Sequence, residues 1–338
     1  MIFPPSSHAL RLVRSNLGWQ PGKAQFESVS VSRHARVFKV SCPESKPVAL
    51  KEYAPDFRQT ESLQREFTGL RVMERSGVSS VAKALHQDID HGVAIYEWKE
   101  GVAISPTDRG EDVFDPFVEF LGACAKIPST EYPQWASDAA RSGIHLETTI
   151  RQRLARIPRD HQDLNAWLES KFEPTLEDFI QKSRQLCGAV LDWDQELAQE
   201  RRILVPSQLG FANVLETPSR HLVFLDFAGF GQDDPASILA QLLHQSAETA
   251  TPDQKARLVP KFFEHFGSDP LVGTRFAAFF PLVGLHHTLD LLDPFCPLER
   301  ALRDFAARPS HPKEDVLARC LERAIHSLEA LKTAVSGD

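Results

Sequence analysis

Residues 205–230 read VPSQLGFANVLETPSRHLVFLDFAGF. Two short apolar runs, 214–216 and 222–225, flank Thr217-Pro218-Ser219-Arg220, whose residues have turn chemistry, so the spacing predicts a β-hairpin. A hairpin sets the residue entering its first strand beside the residue leaving its second. Asn213 and Asp226 hold those two positions, and an amide oxygen and a carboxylate are therefore expected at one mouth. Oxygen donors of this kind suit Mg²⁺, which is usually held by one or two protein groups while phosphates and waters complete its octahedron. An Asn and an Asp at hairpin ends also serve simply as turn formers.

The hairpin interrupts a helical half. Apolar periodicity predicts helices over 146–157, 176–197, 236–247, 253–266 and 315–335, with Pro260 kinking or dividing the fourth. The first hundred residues read differently: 35–40, 48–53, 81–86 and 93–98 are short apolar runs bounded by Pro, Gly, Ser or Asp, and predict strands. One helix lies among them, with Leu63, Phe67, Leu70 and Met73 on one face and Gly77 as its stop signal.

The chain has 338 residues, enough for two lobes with a core each, and its 42% apolar and 25% charged content is that of a globular protein. A net charge of −8 argues against a general affinity for nucleic acid or anionic lipid, since both reward clustered Lys and Arg. The N-terminus lacks the basic flank and apolar stretch of a signal peptide. The longest greasy run, 276–285, contains Pro281 and is about half of a membrane span, so it reads as buried helix. Five scattered cysteines with no C-x-x-C spacing indicate neither a disulfide framework nor a zinc site, and a reducing cytoplasm fits.

Within the strand-rich half, Val48-Ala49-Leu50-Lys51 alternates, sending Ala49 and Lys51 to one face. A small residue beside an inward-pointing ammonium suits an adenine-plus-phosphate pocket, while a lone lysine on an edge strand would simply be solvated. Glu66, on the next helix beside its apolar stripe, is placed to pair with Lys51. Glu97 and Trp98 end the last strand and open the helical half, so they form the connector whose backbone could meet an adenine edge.

Lysine on a strand, glutamate on the following helix, connector, a loop ending in Asn, hairpin, then Asp: in this order the residues resemble the aminoglycoside phosphotransferase and choline-kinase-like branch of the protein-kinase-like fold. The resemblance covers residues 25–245. It implies an α+β, two-lobed architecture, with a small N-terminal antiparallel-sheet lobe over 1–97 and a larger helical lobe over 98–338. It also implies ATP and Mg²⁺ as cofactors: Lys51 would contact the α and β phosphates, Glu66 would orient it, Ala49, Glu97 and Trp98 would border the nucleotide, and Asn213 and Asp226 would ligate the metal. "VPSQLGFAN" is similar to a variant loop, "PSDFGFHN", of some bacterial members, and Asp233-Asp234-Pro235 to the Asp-Pro that opens their next helix.

The pattern fails at the acceptor. The catalytic aspartate of such loops stands five residues before the asparagine, where this chain has Gln208; a neutral amide accepts a hydrogen bond but is no base. Residues 30–36, where a phosphate-covering loop belongs, contain no glycine, although Arg33, His34 or Arg36 could bring positive charge. Two classes follow. One is a phosphotransferase acting on a small-molecule acceptor by an altered mechanism, its base supplied from elsewhere, with Asp192, Asp194 and Asp233 as candidates. The other is a pseudokinase that works as a nucleotide-dependent scaffold on a protein partner. The acidic run Asp108, Glu111, Asp112, Asp115 and Glu119 reads as a solvated helix face or as a patch for a cationic acceptor.

Overall fold

The computed structural model describes residues 4–19, 22–31, 35–55, 57–188, 190–306 and 313–336. It opens with helix α1 (Ser7–Leu17), which the strand-rich reading of this half did not include. Ser6 caps it by accepting from the Ala9 amide, and Gly18 ends it in the left-handed region at φ 67°, where glycine has no Cβ to strain. Strands β1 (Gln25–Val31), β2 (Ala35–Ser41) and β3 (Val48–Tyr53) follow, then helix α2 (Phe57–Arg75) and strands β4 (Ala84–Asp88) and β5 (Val93–Glu97). The five strands form one antiparallel sheet in the order β1-β2-β3-β5-β4.

The two faces of this sheet divide by strand alternation. Val48 and Leu50 join Phe38, Val40, Val93 and Ile95 in a cluster closed by Leu12 and Val13 of α1. Ala49, Lys51 and Tyr53 lie on the opposite face, toward α2 and the rest of the molecule. The strand expected at 81–86 starts later, because Val81 instead bridges in parallel to Phe224 of the hairpin.

Beyond Glu97 the chain is mainly helical. After a two-residue strand, β6 (Val102–Ala103), come α3 (Asp115–Cys124), α4 (Gly143–Arg156), α5 (Gln162–Trp167) and α6 (Glu173–Cys187). Helix α6 ends earlier than its apolar periodicity predicts, at Gly188 with φ 48°. Trp193, whose apolar spacing continues the helical pattern, lies in irregular chain and covers Gly143. Next come β7 (Ile203–Val205), the hairpin β8 (Val214–Glu216) and β9 (Leu222–Phe224), β10 (Gly231–Asp233), then α7 (Pro235–Gln245), α8 (Pro252–Phe266), α9 (Val272–Asp290), α10 (Pro297–Ala306) and α11 (Lys313–Ser336). Pro260 does not divide α8, and α9 runs through Pro281 as a largely buried helix. Its Ala278, Leu282 and Leu285 pack with residues of α4, α6 and α11 in a core separate from that beneath the sheet. Among the described residues no helix is long and apolar enough to cross a membrane.

Candidate active site

The hairpin register fixes the mouth of the site. Val214 pairs with Phe224, and the Leu225 amide donates to the Asn213 carbonyl at 2.8 Å, so Asp226 emerges one residue beyond the last rung. Asp226 has φ 60°, a left-handed conformation that Asp tolerates better than most residues but still at a cost of about 1–3 kcal/mol. Such strain persists only where the surroundings impose it. Here it turns the carboxylate toward the sheet, where Lys51 Nζ lies 3.4 Å from Asp226 Oδ1.

Lys51 is also paired with Glu66 of α2, Nζ donating to Oε2 at 2.6 Å, and both side chains are under a tenth exposed. Tyr53, two residues along the same strand face, donates its hydroxyl to that Glu66 oxygen at 2.6 Å and stands 2.8 Å from the Tyr96 hydroxyl. With the Tyr53 proton on Glu66, Tyr96 is the donor between the two phenols. Burial lowers the pKa of Lys51, but the nearby Glu66 and Asp226 outweigh it and hold the ammonium above its ordinary value. Burial raises that of Glu66 against the pull of Lys51. Burial and the Glu66 charge keep both tyrosines protonated well above their ordinary range. A buried, charged, doubly paired lysine thus joins β3, α2 and the hairpin.

The remaining residues singled out from the sequence fall around this cluster. Ala49 faces the same side, pairs with Tyr96 across the sheet and is only partly buried. Glu97 is tied down locally, accepting from the Lys83 amide at 3.2 Å and pairing with Lys99 at 2.9 Å. Trp98 lies beneath Lys39, whose Nζ is 4.8 Å from the ring centroid. Asn213 turns its amide NH₂ onto the Gln208 carbonyl at 3.0 Å, which bridges the loop and leaves its oxygen as the ligand-capable end. Among the described residues no group of three or more His, Cys, Asp or Glu side chains converges on a metal position. A two-ligand Mg²⁺ site of Asn213 and Asp226 suits the donor set, since this ion retains water and phosphate ligands.

Arg33 and His34 lie outside the described residues. Arg36 stacks on Phe305 of α10, 4.1 Å from the ring centroid, and its Nε donates to the Phe305 carbonyl at 2.8 Å. The acidic run is largely neutralised where it meets α8: Glu111 pairs with Arg257 at 2.6 Å and Asp115 with Lys261. Only Asp115 and Glu119 of this run lie on α3, and Asp108, Glu111 and Asp112 precede it.

None of the three carboxylates considered as substitute bases stands at Gln208. Asp233 is fully buried and accepts from the Ala140 and Asp234 amides and from Gln241, which makes it a structural anchor. Asp192 and Asp194 are exposed in the irregular segment after α6, and Asp192 lines a different cavity. The pocket that does contain Gln208 is lined by Ser207, Asp138, Gln241, His286 and His287 among others. His244 also borders it, but its Nε2 donates to the Phe280 carbonyl at 2.8 Å, and burial pushes its pKa down to about 4, so it is neutral near pH 7.

No protein-family model and no curated sequence matches this chain. Solved structures do. The choline kinase LicA from Streptococcus pneumoniae superposes with a TM-score of 0.59 at 16% identity, over 96% of this chain and 100% of that one. A choline/ethanolamine kinase family protein from Mesorhizobium loti gives 0.60 at 15% identity, over 95% of each chain. The chain has the protein-kinase-like fold. A spectinomycin phosphotransferase solved with ADP and spectinomycin shares it, at a TM-score of 0.61 and 12% identity over 97% of this chain and 99% of that one. The kinase-like fold therefore extends over nearly the whole chain, including helices α8 to α11, which carry no motif.

Proposed function

We propose that this kinase-like chain binds ATP with Mg²⁺ between the sheet and the hairpin and transfers the γ-phosphoryl group to a small-molecule acceptor entering beside Gln208. The observation that carries this reading is the cluster of Lys51, Glu66 and Asp226, in which one buried ammonium links a strand, a helix and the hairpin at 2.6 and 3.4 Å. Lys51 would hold phosphate oxygens and Glu66 would keep it extended. Ala49 leaves room for the base, with backbone at Glu97 and Trp98 along its edge. Asn213 and Asp226 would hold Mg²⁺, which when bound neutralises phosphate charge. Structures of this fold solved with AMP and with ADP support a nucleotide as ligand. We divide the lobes between residues 97 and 98, and we place the protein in the cytoplasm, where its five free cysteines would stay reduced.

Gln208 favours a second reading, a pseudokinase whose nucleotide-bound form engages a protein partner. Both readings require the nucleotide. ATP should raise the melting temperature, and Mg²⁺ should raise it further, since a ligand at a hundred times its Kd stabilises by about 2.7 kcal/mol. Asp226→Ala should remove the Mg²⁺ increment while leaving a smaller shift with ATP alone. Absence of any shift at millimolar ATP, with or without metal, would eliminate both readings.

A further inference from the structure

We infer that Asp138, on the segment between α3 and α4, takes the proton-accepting role that Gln208 cannot. This rests on the phosphotransferase reading above. The segment is built against the loop rather than passing it by chance. The Ala136 amide donates to the Gln232 carbonyl at 2.9 Å, the Ser137 amide to the Gly229 carbonyl at 3.1 Å, and the Ala140 amide to Asp233 at 3.1 Å, so Asp138 is fixed from both sides. Arg65 of α2 adds a clamp, donating to the carbonyls of Trp135 at 2.6 Å and Phe230 at 3.1 Å.

Two glycines make this docking possible. A Cβ at Gly229 would lie 1.9 Å from Ser207 Oγ and 2.5 Å from Ser137 Oγ, and one at Gly231 would lie 2.4 Å from the Ala136 nitrogen. With no Cβ there, the Ser137 hydroxyl reaches Ser207 at 3.1 Å, and the residues following each serine, Asp138 and Gln208, line the same pocket. The pocket thus regains, from a different segment, the carboxylate that its loop lacks. Among the described residues Asp138 makes no hydrogen bond or ion pair, whereas Asp290, the other carboxylate in the lining, is held by Arg153 at 2.6 Å. A half-buried, uncommitted carboxylate beside the loop has the chemistry of a base; a committed one does not.

The step balances as an ordinary phosphoryl transfer from a nucleoside triphosphate to an alcohol or to water. The acceptor oxygen forms its bond to the γ-phosphorus, and the bond to the β,γ-bridging oxygen breaks. That electron pair leaves with the nucleoside diphosphate, and the acceptor proton passes to the Asp138 carboxylate.

The test is ADP release from Mg·ATP with water as the acceptor, so no knowledge of the natural alcohol is needed. Asp138→Asn should lower kcat by about 10²–10⁴ while the ATP affinity, measured separately by titration, stays within a few-fold. Adding Gln208→Asp to that variant should recover at least tenfold of the loss, a rescue that a merely structural aspartate would not show. Native-like turnover in Asp138→Asn overturns the inference, as does a loss confined to His286→Gln, the imidazole across the pocket. A native protein that binds ATP but gives no turnover overturns it too and leaves the pseudokinase reading. Failure to bind ATP is a different result, because it removes the proposed function itself.

Discussion

Replacing Arg275 with methionine is expected to cost the helical lobe about 3–5 kcal/mol, the range for breaking a buried ion pair by removing one partner. Asp234 is fully buried, caps α7 through the Ala236 amide, and receives Arg275 of α9 bidentately, from Nε at 2.6 Å and Nη2 at 3.0 Å. Without the guanidinium, only the α7 N-terminus, among the described residues, opposes that charge. The loss has a pH signature. Burial raises the folded-state pKa of Asp234 above its ordinary value while Arg275 lowers it, so removing Arg275 raises it further. A raised carboxylate pKa gives stability that is present below the unfolded value and declines as pH rises through the folded one. The variant's deficit should therefore be largest near neutrality and shrink toward pH 4, as urea denaturation at several pH values would show. Asp234→Asn combined with Arg275→Met should cost less than the two single changes added together. A single-variant loss under 1 kcal/mol would show that the pair is dispensable.

Lys51→Met should combine a stability loss with a ligand loss. Methionine keeps the chain length but, among the described residues, leaves Glu66 buried with no cation and only the Tyr53 hydroxyl as a donor. Unpaired burial costs about 3 kcal/mol by the same reasoning, less whatever Glu66 recovers by taking up a proton. Burial already raises the pKa of Glu66, and losing Lys51 raises it further, so this deficit too should narrow as pH falls through the carboxylate range. In parallel the ATP-dependent rise in melting temperature should vanish. Glu66→Gln should weaken nucleotide binding as well, and the double variant should lose less than the sum, because each side chain acts through the other. Strict additivity would mean that the 2.6 Å contact carries no coupling.

Much of this site is legible before any coordinates, because its parts are local. The hairpin follows from two apolar runs and a Thr-Pro-Ser-Arg turn, although its register sets Asn213 opposite Leu225 and leaves Asp226 one residue further on, turned by its left-handed backbone. Lys51 and Glu66 are likewise found from strand alternation and a helical stripe. What sequence periodicity misreads is set by tertiary contact. Val81 is drawn to Phe224 instead of starting β4, and Leu191, Trp193 and Leu197 keep an apolar rhythm past Gly188 although the helix has ended. Helix α1 did carry a signal, Ser6 before it and Gly18 after it, that the strand-rich surroundings obscure. Tyr53 and Tyr96 bear on the site only through the buried position of Glu66. Asp138 had no signal: what brings it to Gln208 is the absence of two Cβ atoms about ninety residues away, at Gly229 and Gly231.

The central claim is that nucleotide and metal meet between Lys51 and Asp226, and a crystal structure with a non-hydrolysable ATP analogue and Mg²⁺ tests it most directly. The phosphates should lie against Lys51 Nζ, displacing its 3.4 Å contact with Asp226, while the metal touches the Asp226 carboxylate and the Asn213 amide oxygen. An analogue bound elsewhere, or a cleft still closed by the Lys51–Asp226 pair at saturating ligand, would contradict it.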